Sequence, residues 1–206
     1  MLKVLSKIRR NLGIVRKIAY FLDKHSLLQL YHCFIMSHIR YGIIVWHHSH
    51  KAIRKKIQAC ANKFLRIIFH LKPRDSVREI MKNNKLLSVK QIYHFEISKF
   101  MQRLALKKIP APFLSLFESQ TRTTGVDTRT ASCFIQGQSR TLKCTQSVKH
   151  SGPLVYNNLP NALRIISQAD VEENNRFLPL TAGDPLPLKL FCKRLKPHVL
   201  SDVDFI

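Results

Sequence analysis

The segment 51–70, "KAIRKKIQACANKFLRIIFH", constrains the fold more than any other stretch of the chain. Ile53, Ile57, Cys60, Ala61, Phe64 and Ile68 recur at spacings of three and four, which puts them on one side of an α-helix. Lys55, Lys56, Lys63 and Arg66 lie largely off that side. Such a helix needs an apolar surface for one face and water or an anion for the other. Everything around it has to provide the first of these.

The neighbouring segments fit that requirement. Segment 25–46 takes Ser26 as its N-cap and continues "LLQLYHCFIMSHIRYGIIVW". It is apolar almost all round, which predicts a buried helix with Tyr41 and Trp46 in the core and His47, His48 and His50 in the polar turn that follows. Segment 91–107 sets Tyr93, Ile97, Phe100 or Met101, and Leu104 on one face, and Pro110 and Pro112 are expected to stop it. Residues 1–118 therefore read as one helical domain. From about residue 119 the composition turns to Thr, Ser, Gln and Arg, so 119–150 reads as a basic polar linker or hairpin. Residues 134–144, "FIQGQSRTLKC", are the best candidate for a short β-hairpin, although their alternation is weak. Residues 151–206 form a small last element ending in a basic helix, "LPLKLFCKRLKPHVL". The expected class is mainly α: a helical bundle with a basic, partly irregular C-terminal extension.

Charge narrows the function. The 206 residues hold 35 Lys and Arg against 12 Asp and Glu, a formal net charge of +23, while 45% of residues are apolar. A core is within reach, yet self-repulsion on this scale opposes compaction unless a polyanion relieves it. Nucleic acid is the commonest polyanion; an anionic membrane surface or a ribosomal particle would serve too. No transmembrane segment is expected, because the longest uncharged run, 25–39, ends at Arg40 after fifteen residues, short of the roughly twenty that span a bilayer. The opening "MLKVLSKIRRNLGIVRKIAY" has no acid before Asp23, as in a mitochondrial presequence, but it lacks the usual Ser richness and reads better as a basic helix. Five cysteines with no C-x-x-C pair and no secretory signal predict reduced, intracellular thiols, with nucleus and cytoplasm both open.

Chemistry-bearing constellations are sparse. His38, His47, His48 and His50 are close in sequence, but no Cys pair or carboxylate lies beside them to complete a zinc site. Cys133, Cys144 and His150 are spaced unlike a compact zinc knuckle. No metal, no cofactor and no catalytic residue is expected: there is no G-x-S-x-G elbow, no glycine-rich phosphate loop and no convergent carboxylate set. Phosphate contact is the remaining chemistry. Lys55, Lys56, Lys63 and Arg66 lead, followed by Arg129 and Arg140 in the hydroxyl-rich stretch and Lys193, Arg194 and Lys196 in the last helix. RNA, DNA or their hybrid, bound without sequence preference, is the partner these charges predict.

Several weak motifs occur in a definite order. They are Tyr31, Tyr41-Gly42 with Trp46, Ile57-Gln58, Lys63 and Leu65-Arg66-Ile67-Ile68, then residues 106–113, Thr128-Arg129, Gly152-Pro153-Leu154, residues 157–160 and residues 191–196. In that order and spacing the chain resembles the region following the catalytic palm in non-LTR (LINE-type) retrotransposon reverse transcriptases. It departs from that pattern at Tyr156, where the family usually has Trp, at His47, where Gly commonly follows the Trp, and across 168–187, which is longer than usual. The resemblance implies a helical thumb and C-terminal extension that help hold a template–primer duplex. It also implies that the chain starts downstream of the polymerase centre, since no Asp-Asp pair occurs in these residues. On that basis no polymerisation is expected from the chain alone. Two alternatives stand beside it: a helical module that docks on partner protein through the surface a palm would cover, or the C-terminal part of an active polymerase whose palm lies upstream.

Overall fold

The computed structural model describes residues 2–48, 51–117, 134–164 and 186–201. These are mainly helical, with no strand among them. No helix among the described residues is long and apolar enough to cross a membrane. By packing, the described residues divide into two compact units, one up to Tyr93 and the other from His94 to Ser201.

The first unit is built from α1 (Leu2–Ile18), α2 (Lys24–Tyr31), α3 (Ser37–Arg40), α4 (Ile43–Trp46), α5 (Lys51–Ile68), α6 (Arg78–Asn83) and the start of α7 (Val89–Ala105). Helix α1 buries Leu5, Ile8 and Val15 at helical spacing, and α5 buries Ile57, Cys60, Ala61, Phe64, Leu65 and Ile68. Each fully buried side chain of this size contributes about 1.5–3 kcal/mol relative to exposure. Tyr31 packs its ring 5.6 Å from that of Phe64. Burial also pushes the Tyr31 phenol pKa far above its usual value.

Segment 25–46 differs from its expectation in three ways. Its N-cap is Asp23, whose Oδ2 accepts from His25 N at 3.0 Å and Ser26 N at 3.2 Å; Ser26 lies inside the first turn. The Ser26 side chain first, and its backbone N–H next, hold the Asp23 carboxyl below its ordinary pKa, because both favour the ionised cap. The helix then widens into a π turn over His32–Met36. Ser37 N bonds back to His32 O, which leaves Cys33 O without its usual partner, and the Ser37 hydroxyl donates to it instead. Asn11 Nδ2 of α1 donates to Phe34 O, in the same widened turn, at 3.1 Å. Finally, Gly42 at φ +63° breaks the helix, a left-handed conformation that glycine adopts at no steric cost. Tyr41 is consequently 83% exposed, Trp46 is half-buried, and Trp46 Nε1 donates to Tyr41 O at 3.0 Å. Neither ring is core. The buried residue is His47, which had been expected in the polar turn.

Helix α7 starts earlier than periodicity suggested because Ser88 and Gln91 form a reciprocal capping box. Ser88 N donates to Gln91 Oε1 at 2.9 Å and Gln91 N to Ser88 Oγ at 3.3 Å. Gln58 of α5 accepts from Val89 N at 2.8 Å.

The second unit holds the rest of α7 with α8 (Ala111–Leu114), α9 (Leu142–Thr145), α10 (Val148–Asn157), α11 (Asn161–Arg164) and α12 (Leu188–Ser201). Helix α7 ends at Ala105, before either proline. Lys107 takes a left-handed φ of 53°, and Lys108 N bonds to Arg103 O at 2.9 Å. Pro110 instead opens the short α8. Met101, rather than Phe100, faces the core. No hairpin forms over 134–144: Thr141 caps a turn of helix, and Phe134 is held by the Asn157 side chain. Asn157 Nδ2 donates to Phe134 O at 2.8 Å, and Phe134 N donates to Asn157 Oδ1 at 3.1 Å, so one side-chain amide engages both backbone groups of Phe134. A Cβ at Gly152 would sit 2.7 Å from Met101 Sδ, so a larger residue there would have to displace that buried side chain. Tyr156 donates its hydroxyl to buried Gln102, which in turn donates to Leu186 O.

Candidate nucleic-acid interface

Helix α5 sets the geometry. At about 100° per residue, its buried side chains centre roughly 160° from the arc that holds Lys55, Lys56, Lys63 and Arg66. Lys55, Lys56 and Lys63 are exposed accordingly. Arg66 is half-buried and already engaged, donating from Nε and Nη2 to Asp75 O, both at 3.1 Å, which pins the loop after the helix. Its charge still faces outward, but its donors are shared. Arg54, on the edge of the buried face, donates to His47 Nε2 at 3.0 Å. Since guanidinium is only a donor, Nε2 must be the unprotonated nitrogen of that ring.

The other predicted contacts are scattered. Arg140, Lys193 and Lys196 are exposed, while Arg194 is half-buried with Nη1 3.5 Å from Ala162 O. Arg129 lies outside the described residues, as do His50 and Cys133. Among the described residues no three His, Cys, Asp or Glu side chains come together as a metal site would require. His47 stacks on Tyr93 with centroids 3.9 Å apart, and His48 Nε2 meets Tyr93 OH at 2.7 Å, so both imidazoles serve the packing of the first unit. Burial, with the Arg54 charge second, lowers the His48 pKa below its ordinary value. Cys33, Cys60, Cys144 and Cys192 are free thiols. The Cys192 thiol is pushed up chiefly by burial, which makes it a poor nucleophile.

Helix α1, expected from the sequence as a basic helix, adds further cations. Lys3, Lys7, Arg9, Arg10, Arg16 and Lys17 are all exposed. Between the last turns of α1 and α5 a cleft of about 580 Å³ opens, with Arg16 and Tyr20 on one wall and Lys63, Arg66 and His70 on the other. Ile67, Leu71 and Pro73 give it an apolar floor, and no carboxylate lines it. His70 reaches the rim because it occupies the left-handed cap of α5, at φ 50°, with Leu71 N bonded to Arg66 O at 2.9 Å. Both helices direct their negative dipole ends here, each equivalent to about half a charge, so the three full cations leave the cleft net positive. No single segment signals this grouping, because Arg16 and Lys63 meet only through folding.

Comparison with protein-family models, curated proteins and solved structures finds no match to this chain.

Proposed function

We propose that this chain binds RNA, DNA or their hybrid through phosphates, without reading sequence, in the manner of the thumb and extension of a non-LTR retrotransposon reverse transcriptase. The observation that carries the reading is the cationic arc of α5 opposite its buried face, in a chain of net charge +23. A solvated face needs no such excess, and lysines held outward by a saturated core reach phosphate without disturbing the fold. The reading assigns the chain no catalysis of its own; metal-dependent primer extension by the purified protein would contradict that part.

The test is the salt dependence of duplex binding. Replacing Lys55, Lys56 and Lys63 together by Gln should flatten the slope of log K against log salt by about 2.7, three B-DNA phosphates at roughly 0.9 each. Affinity should fall alike for all sequences. Gln preserves helix propensity, and circular dichroism checks the fold. A folded triple variant with the wild-type slope would mean these lysines are only solvated.

A second reading, docking on partner protein, draws on Tyr41 and Val45, which are 83% and 82% exposed near the break at Gly42. It predicts that Tyr41→Ser with Val45→Ser abolishes association while the salt slope on duplex stays intact.

A further inference from the structure

We infer that the cleft between α1 and α5 is a single-strand subsite, which takes an unpaired nucleotide with its base on Tyr20 and its phosphates on Arg16 and Lys63. The inference rests on the nucleic-acid reading above and assigns one form of the ligand to one place.

Three observations converge. Tyr20 is 89% exposed and Phe21, set edge-on to it at 5.5 Å, is 82% exposed. Two adjacent aromatics left in water at the end of a basic helix are not accounted for by the core, which α1 serves through Leu5, Ile8 and Val15. Tyr20 also shares one cleft with Arg16, Lys63, Arg66 and His70, so an aromatic side chain and phosphate-binding groups line the same opening. The cleft holds no acid that would repel a phosphate or satisfy these cations internally.

The ring decides between single strand and duplex. A duplex buries its base faces in the stack and offers a protein only phosphates, sugars and groove edges. An exposed tyrosine gains from a flat π-face, which an unpaired base supplies whatever its identity. The apolar floor of Ile67, Leu71 and Pro73 suits a base or sugar better than a second phosphate. Arg66, tied to Asp75 O, contributes charge more than hydrogen bonds, which leaves Arg16 and Lys63 as the phosphate contacts.

The experiment uses the full chain, a short fluorescein-labelled oligodeoxyadenylate and a blunt duplex, with anisotropy measured across a salt series. Tyr20→Ala is expected to weaken single-strand binding by about 5- to 150-fold, the range for losing one stacked base, and to leave duplex affinity and both salt slopes unchanged. Tyr20→Phe, which keeps the ring, should retain the single-strand affinity. If duplex binding is salt-steep and Tyr20→Ala leaves the oligodeoxyadenylate unaffected, the subsite is wrong and the phosphate-binding function stands. Wild-type protein that binds neither nucleic acid overturns both. Polyglutamate competing as well as the oligonucleotide at equal charge would make the cleft a general anion site and overturn the inference. Should Tyr20→Ala fail to fold, ultraviolet cross-linking of wild type to an iodouridine oligonucleotide decides: an adduct on Tyr20 is expected, and adducts only elsewhere refute the subsite.

Discussion

Both units bury an apolar core with a few polar side chains, but they place those polar groups differently. The first packs Ile8, Val15, Tyr31, Ile57, Phe64 and Ile68 around α5, and its cations point outward. In the second, a buried hydrogen-bonded chain runs from Tyr156 through Gln102 to Leu186 O, beside buried Ser98, Ser151 and Arg164. An apolar core is non-directional and tolerates any charge pattern on its outer face. A polar core is directional, because each donor or acceptor depends on one partner. The basic helices are alike in one respect: each has an arginine at a backbone carbonyl, Arg66 at Asp75 O and Arg194 at Ala162 O, beside exposed lysines.

The largest expected effect tests that contrast directly. Gln102→Leu keeps the volume but leaves the Tyr156 hydroxyl and the Leu186 carbonyl buried without this partner. Each of the two lost hydrogen bonds contributes about 0.5–1.5 kcal/mol, so the variant should lose roughly 1–3 kcal/mol in urea denaturation. Adding Tyr156→Phe should cost little more, since its bond to Gln102 is already gone. A loss below about 0.5 kcal/mol would mean that the second core is held by apolar packing and gains nothing from this hydrogen-bonded chain.

The first unit has its own polar cluster, where His47 and His48 meet Tyr93 and Arg54. Folding lowers the His48 pKa, chiefly by burial, so the folded state favours neutral imidazole. The unfolded chain therefore binds more protons just below the ordinary value near 6.5. Stability from neutral His48 is fully present above that value and declines as pH falls through the lower folded pKa. The urea midpoint of wild type should drop between pH 7.5 and pH 5, and His48→Gln should reduce that drop. Identical pH profiles for the two proteins would show that His48 is not what makes the first unit sensitive to acid.

The apolar face of α5 was readable from spacing alone, because helical period and burial are the same fact seen twice. The helical class followed from it. The interior of 25–46 was not, since an all-round apolar pattern carries no phase, and the π turn depends on Ser37 and Asn11 supplying bonds from outside the local ladder. Tyr41 and Trp46 were misplaced for a related reason: hydrophobicity suggested core, but Gly42 turns the chain before either ring gets there. The expected hairpin at 134–144 is absent because its second half is a turn of helix, Leu142–Thr145, capped by Thr141, a signal that the weak alternation concealed. On the candidate interface, charge and phase found Lys55, Lys56 and Lys63 as exposed groups. They could not reveal that Arg66 is engaged by Asp75, or that Arg16, Tyr20 and His70 share its cleft.

The smallest expected effect asks whether the two units differ at their helix ends as they do in their cores. Helices α5, α6 and α7 all close on left-handed residues that are not glycine: His70, Lys85 and Lys107, at φ 50°, 52° and 53°. Each is followed by a residue bonded back to the last turn, as Leu86 N to Met81 O at 2.8 Å and Lys108 N to Arg103 O at 2.9 Å. A side chain at such φ costs about 1–2 kcal/mol, which glycine avoids while giving back part of the gain through its freer unfolded chain. Lys85→Gly in the first unit and Lys107→Gly in the second should each stabilise by about 0.5–1 kcal/mol, measured by urea denaturation. Both lysines are exposed, so no buried contact is lost with them. Equal gains would mean that helix termination is local and indifferent to what fills the core. A gain at Lys85 with a loss at Lys107 would mean that the cation contributes more than its strain costs at the end of α7, through the favourable pairing of positive charge with a helix C-terminus.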